Sequence, residues 1–179
     1  MAISQSDLLY KLTGAATHNA AQSDPDASLG SYRASNDVGA GDNNLFDDVT
    51  GDEASSGDTE YRAVGFLNNH GSLALTSGKV WIQTDTGNAE DDISFDVEEP
   101  SDETTGSIQS IANESTAPTG LGGWSDATSK ATGKDFPGTG SDLAAGDWFG
   151  LWLRRQISAS ASAQSAESVT MRCEGDTAA

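Results

Sequence analysis

Strict alternation of apolar and polar residues is the feature that most restricts how this chain can fold. Glu60 to Asn68 reads EYRAVGFLN, which sets Arg62, Val64 and Phe66 on one face and Tyr61, Ala63, Gly65 and Leu67 on the other. Asp147 to Ser158, DWFGLWLRRQIS, sets Phe149, Leu151 and Leu153 against Trp148, Gly150 and Trp152. Ile93, Phe95 and Val97 alternate with Ser94, Asp96 and Glu98, the pattern of a strand wet on one face. Leu73 and Leu75 lead through a turn or bulge at Ser77-Gly78 into Lys79-Val80-Trp81-Ile82-Gln83, and Val169, Met171 and Cys173 form a last alternating run. Successive strand residues point to opposite faces, so such runs fit strands and not a 3.6-residue helical stripe. Helical periodicity is nearly absent, and no repeat recurs at a fixed period. The expected fold is all-β: a single β-sandwich or jelly-roll-like domain with long loops and an N-terminal arm.

The segments between these runs set the expected organisation. Residues 1–28 read as an arm and linker. Leu8, Leu9 and Leu12 have the spacing of one short helix turn or of a docking arm, and 13–28 carry no large apolar residue. The sandwich is expected over 29–177. Its first part holds isolated apolar anchors among Gly, Asn and Asp, read as short strands between turns. Ile108 and Ile111 mark a weaker strand. A long excursion at about 112–146 is rich in Gly, Ser, Thr and Pro, with Trp124, Phe136 and Leu143 as anchors. Loops of that length are usually functional or ordered by neighbours. The Ser/Ala tract 158–166 reads as a flexible tip.

Charge narrows the function. In 179 residues, 28 acids stand against 9 bases, a formal net charge of -19. That argues against nucleic acid, whose phosphates need clustered Lys and Arg, and against anionic membrane surfaces. No apolar run approaches the roughly 20 residues that cross a bilayer, and MAISQSDLLYKLTGAA lacks the apolar region of a signal peptide. Hydrophobic residues are 35% of the chain and 24 of them are Ala, so the core is lean. Among the acids 19 are Asp, while Lys occurs four times. In dilute buffer such a chain repels itself. At 1 M salt the Debye length falls to about 3 Å and most of that penalty goes. The composition resembles that of proteins from extremely halophilic archaea and their viruses.

Residues able to do chemistry form no familiar constellation. Asp85 to Glu103 holds nine acids and no base, and Asp37 to Glu60 eight acids and no base. Asp24-Pro-Asp26-Ala-Ser28-Leu-Gly30 resembles the start of a calcium loop, but Leu29 stands at the required Gly and Ser35 at the bidentate Glu. These acids are expected to be a solvated surface, with at most loosely held cations and no cofactor. His18 and His70 belong to no zinc pattern, and the single Cys173, expected to be a small buried residue, excludes an internal disulfide. No GxSxG elbow and no phosphate- or dinucleotide-binding Gly loop is present. Asp91-Asp92 and Glu98-Glu99 are sequence neighbours, so in strands they point apart and make no hydrolase pair. Trp81, Trp124, Trp148 and Trp152 are read as core, the alternative being a carbohydrate-binding face. Arg154-Arg155 is the only basic doublet. It pairs either within the chain or across a subunit interface.

Residues 45–82 and 147–177, with the run GDTEYRAVGFLNN, the strand KVWI and the closing pair LWLRR and SVTMRCEGDT, resemble a class of small β-rich structural proteins of tailed phages and archaeal tailed viruses. The resemblance carries over no functional residue. With the composition, it implies a non-enzymatic virion protein of a halophilic host. The expected role is a capsid decoration protein that reinforces the shell by multivalent contacts with the major capsid protein, as a homo-oligomer such as a trimer. The alternatives are a tail, baseplate, neck or turret component, or a receptor- or glycan-binding module on the virion. Candidate subunit-contact residues are Leu8, Leu9, Leu12, Trp124, Arg154 and Arg155, with the arm and the 112–146 excursion expected to wrap neighbours.

Overall fold

A computed structural model describes residues 2–164 and 167–177. Nine strands run in the order β1 (Leu8–Leu12), β2 (Gly30–Tyr32), β3 (Asp58–Asn68), β4 (Leu75–Thr84), β5 (Asp91–Glu98), β6 (Ser107–Ser110), β7 (Lys134–Asp135), β8 (Trp148–Ile157) and β9 (Thr170–Thr177). The α-helix α1 (Gly51–Ser56) fills one turn-rich connection. It starts at Thr50, where a reciprocal pair of hydrogen bonds with Glu53 caps the first turn. The expected all-β, sandwich-like architecture holds.

The strands form antiparallel sheets in three layers. The central sheet has the order β1-β3-β8-β5, a second sheet the order β7-β4-β9, and β2 and β6 form a ribbon. One core lies between the first two sheets, where Val64, Phe66, Phe149, Leu151, Leu153, Ile93 and Phe95 meet Val80, Ile82 and Cys173. A second core lies on the other face of the central sheet. There Ala63, Leu67, Trp148 and Trp152 pack beneath Ile108 of the ribbon. The alternation read from the sequence is therefore real, but both faces of β3 and β8 are dry. At Gly150 in β8 the ribbon sits down closely on the central sheet. A Cβ there would lie 2.8 Å from two methyl carbons of Ile108.

Bulge and anchor meet in β4. The β4–β9 pairing shifts register between Thr76 and Lys79, with Ser77 at φ 53°, so Ser77-Gly78 is a bulge. The Phe136 ring occupies the space a Cβ of Gly78 would take, 2.0–2.4 Å away. Phe136 then stacks on Phe149 with centroids 4.8 Å apart, inside the first core.

Two expectations are corrected. Residues 8–12 are neither a helix turn nor a free arm. They are the strand β1, paired along its length with β3 from Leu8–Asn68 to Leu12–Val64. Its outer edge is closed by residues 34–38, through bonds such as Ala34 N–H to the Leu12 carbonyl (2.8 Å) and Val38 N–H to the Tyr10 carbonyl (2.9 Å). The polar face of β5 is not wet: Ser94 and Asp96 are fully buried beneath the 112–146 excursion. The tract 158–166 lies outside the described residues at 165 and 166.

Candidate functional site

The charged end of the sandwich is the most elaborate polar site. Glu60 and Arg155 are direct cross-strand partners on β3 and β8, and Arg62 follows two residues after Glu60 on the same face. All three are buried where the inner core runs out. Arg155 donates from Nε to Glu60 (2.6 Å) and from Nη1 to the Asp47 carbonyl (2.8 Å), and its Nη2 also meets Glu60. Arg62 donates from Nε to the Leu45 carbonyl (3.2 Å), pairs with Glu114, and reaches Asp26 at 3.4 Å. Between them Phe46 offers its ring to both guanidinium groups, 4.9 Å from Arg155 and 5.8 Å from Arg62. Three distant segments, around Asp26, Leu45–Asp47 and Glu114, are thereby fastened to one end of the sheet.

Burial pushes the Glu60 carboxyl above its ordinary value, and the neighbouring Arg155 charge pulls it back in part. Carboxylate oxygens of Asp47, Glu60 and Glu114 lie within 4.8 Å of one another, as do those of Glu53, Asp58 and Glu60. Both groups share Glu60, whose carboxylate is already engaged by Arg155. The guanidinium groups supply the positive charge that a metal would otherwise supply.

A second polar layer covers β5. The Asp96 carboxylate accepts from the Gly123 N–H (2.9 Å) and pairs with Lys134 of β7. Glu98 accepts from the Trp152 indole N–H (2.7 Å) and from the backbone and side-chain N–H of Gln109 (2.8 and 3.0 Å). Ser125 closes the β5 edge with a bond in each direction to Phe95, both 2.9 Å. The excursion thus packs on its own chain. Phe136 and Leu143 enter the inner core, while Trp124 stays half-buried on the outer layer.

The six candidate contact residues end up in different places. Leu12 is buried in the inner core, with Leu8 half-buried against it and Leu9 half-buried on the opposite side of β1. Arg155 is spent on Glu60 and Asp47. Arg154 donates to Ser94 Oγ (2.9 Å) and lies 5.1 Å over the Trp124 ring, which also meets Tyr61 at 5.5 Å. Arg155 is therefore engaged within the chain and Arg154 in part, and Leu12 and Arg155 are unavailable to a partner. Trp81, Trp148 and Trp152 are core residues, so a row of exposed tryptophans does not exist.

The remaining reactive groups are engaged or inert. His70 Nδ1 accepts the backbone N–H of Ser72 (3.1 Å) and Leu73 (3.0 Å), which holds the turn. His18 Nε2 contacts Arg33 Nη2 at 3.3 Å. Arg33 is buried without a carboxylate, and burial lowers its affinity for its proton. Burial pushes the Cys173 thiol up to about 12, which removes thiolate chemistry at neutral pH. Sequence reasoning missed the Glu60–Arg62–Arg155 cluster, although charged residues at the end of an otherwise apolar strand face were its visible sign. Comparison with known protein families, characterised proteins and solved structures finds no match to this chain.

Proposed function

We propose that this chain is a non-enzymatic structural protein of a tailed virus of a halophilic host, a capsid decoration protein that reinforces the shell through many weak contacts. The observation that carries the reading is the use made of the buried charges. Arg62, Asp96 and Arg155 each tie remote loops to a sheet, Glu60 holds Arg155 in place from the neighbouring strand, and each of the four is engaged by a partner within the chain. Such a layout favours a rigid, loop-fastened block over a catalyst. The acidic coat suits concentrated salt, and repetition on a symmetric shell turns modest contacts into firm attachment.

The test is to purify the particles, identify the chain by mass spectrometry and quantify its copies. Hundreds of copies per particle, lost together with shell stability on stripping, are the expected outcome. A handful of copies would move the protein to the tail or neck, and absence from particles would end the proposal.

A further inference from the structure

Among the described residues, Val49 is the only large apolar side chain that stands exposed. The other large apolar side chains among the described residues are at least half-buried. Backbone offers the alternative. The outer edge of β1 is closed by residues 34–38, and that of β5 is bridged at its middle, at Phe95, by Ser125. The ribbon strand β2 is closed by Gly14 and Ala15, which donate to the carbonyls of Gly30 (2.6 Å) and Tyr32 (3.3 Å). The eight-residue strand β9 is different. It pairs with β4 on one side and, among the described residues, with no backbone on the other. The Tyr10 O–H reaches its backbone at the Met171 carbonyl, 3.4 Å away. Unpaired edges of this length template further strand pairing unless they are blocked.

We propose that β9 pairs antiparallel with β9 of a second copy about a two-fold axis at Cys173, joining two three-stranded sheets into one of six strands. The register follows from charge. Thr170, Arg172, Glu174 and Asp176 share the solvent face, while Met171 and Cys173 face the core. Centring the pair on Cys173 sets Arg172 opposite Glu174 of the second copy, twice, and Thr170 opposite Asp176. Centring it on Glu174 again sets Arg172 opposite an acid, Asp176, but brings the two Glu174 carboxylates face to face at the axis, and centring it on Arg172 brings two guanidinium groups together and leaves Glu174 opposite Thr170; both cost stability against the Cys173 register, and a one-residue slip turns the core-facing side chains outward. Arg172 and Glu174 already lie 3.2 Å apart within one strand, and Lys130 braces Glu174 at 2.8 Å. Docking the second strand builds an alternating four-charge cluster at the axis. The inference stands independently of any place in a virus particle, because it rests on the edge and its charges alone.

Sedimentation in molar KCl, which screens the repulsion between two acidic subunits, is expected to give a monomer–dimer equilibrium. Glu174→Arg opposes Arg to Arg and is expected to move its midpoint to roughly tenfold higher concentration. Register is read by disulfide trapping in a Cys173→Ala background. The double variant Thr170→Cys with Asp176→Cys forms a covalent dimer on oxidation, while the control Arg172→Cys with Asp176→Cys stays monomeric. Circular dichroism checks that each variant remains folded. A wild-type chain that is monomeric at every concentration overturns the proposal. So does a dimer in which the control pair crosslinks as well as the matched pair.

Discussion

At the scale of single residues, the Glu60–Arg155 pair shows how an acidic chain uses its few bases. Both groups are taken out of water, so their attraction has to offset a desolvation cost of several kcal/mol each. It does so with additional bonds to the 45–47 loop and the Phe46 ring. Removing one partner is then far worse than removing both. Arg155→Met leaves the Glu60 carboxylate buried and unpaired and is expected to cost about 3–5 kcal/mol. The double variant Arg155→Met with Glu60→Met is expected to recover most of that loss, because two apolar side chains need no compensation. Urea unfolding of the three proteins checks this. A double variant as unstable as Arg155→Met alone would show that the pair contributes through its loop contacts instead.

At the scale of elements, the bulge in β4 and the far-off Phe136 are one unit. Gly78→Ala pushes a methyl group into the Phe136 ring and is expected to destabilise by about 1–3 kcal/mol. Phe136→Leu in the same chain clears the space and is expected to return part of the loss, measured as a non-additive double-mutant cycle. The sequence announced the bulge through Ser77-Gly78 but could not announce its occupant, since Phe136 follows far along an irregular loop. The same divide runs through the whole fold. Strands β3, β4, β8 and β9 were legible because alternation is a local property. Strand β1 was not: Leu9 interrupts the Leu8-Tyr10-Leu12 face and imitates a helix turn. The burial of Asp96 was not legible either, because the groups that cover it, Gly123 and Lys134, belong to a segment without periodicity. The candidate contact residues suffered from this most. A lone arginine doublet leaves pairing within the chain and pairing across an interface equally open until Asp47, Glu60 and Ser94 are brought beside it.

At the scale of the whole molecule, the balance between self-repulsion and buried carboxyl groups sets the response to pH and salt. Burial holds the carboxyls of Glu60, Asp91 and Glu103 above their ordinary values. A native carboxyl of this kind binds its proton more readily than the unfolded chain does. The fold therefore gains stability as pH falls from 7 towards the ordinary carboxylate range, near 4.5 for Glu60. The opposite holds for Asp7, Asp102 and Glu174, kept low by hydrogen bonds from Ser4, from Thr105 and from Lys130 respectively. Their support is present above the ordinary value and is lost as pH drops through the lowered one, and solvent exposure keeps it small. In low salt the thermal midpoint is expected to rise between pH 7 and about 5 and to fall in stronger acid. Multimolar KCl is expected to raise the pH 7 midpoint and flatten the rise. Scanning calorimetry reads both, and a midpoint indifferent to KCl would remove the case for salt adaptation.

The pairing of β3 with β8 has a temporal side. Phe66 meets Phe149, and β4 meets β9, across about half of the chain's length. During synthesis β3 emerges with only β1 to pair with, and neither the central sheet nor the β7-β4-β9 sheet can be completed until the segments beyond residue 147 have left the ribosome. Long-range closure of this sort is slow. Through that interval the dense negative charge of the early segments repels neighbouring nascent chains, so the same acids that coat the folded protein act first as a safeguard against premature sticking.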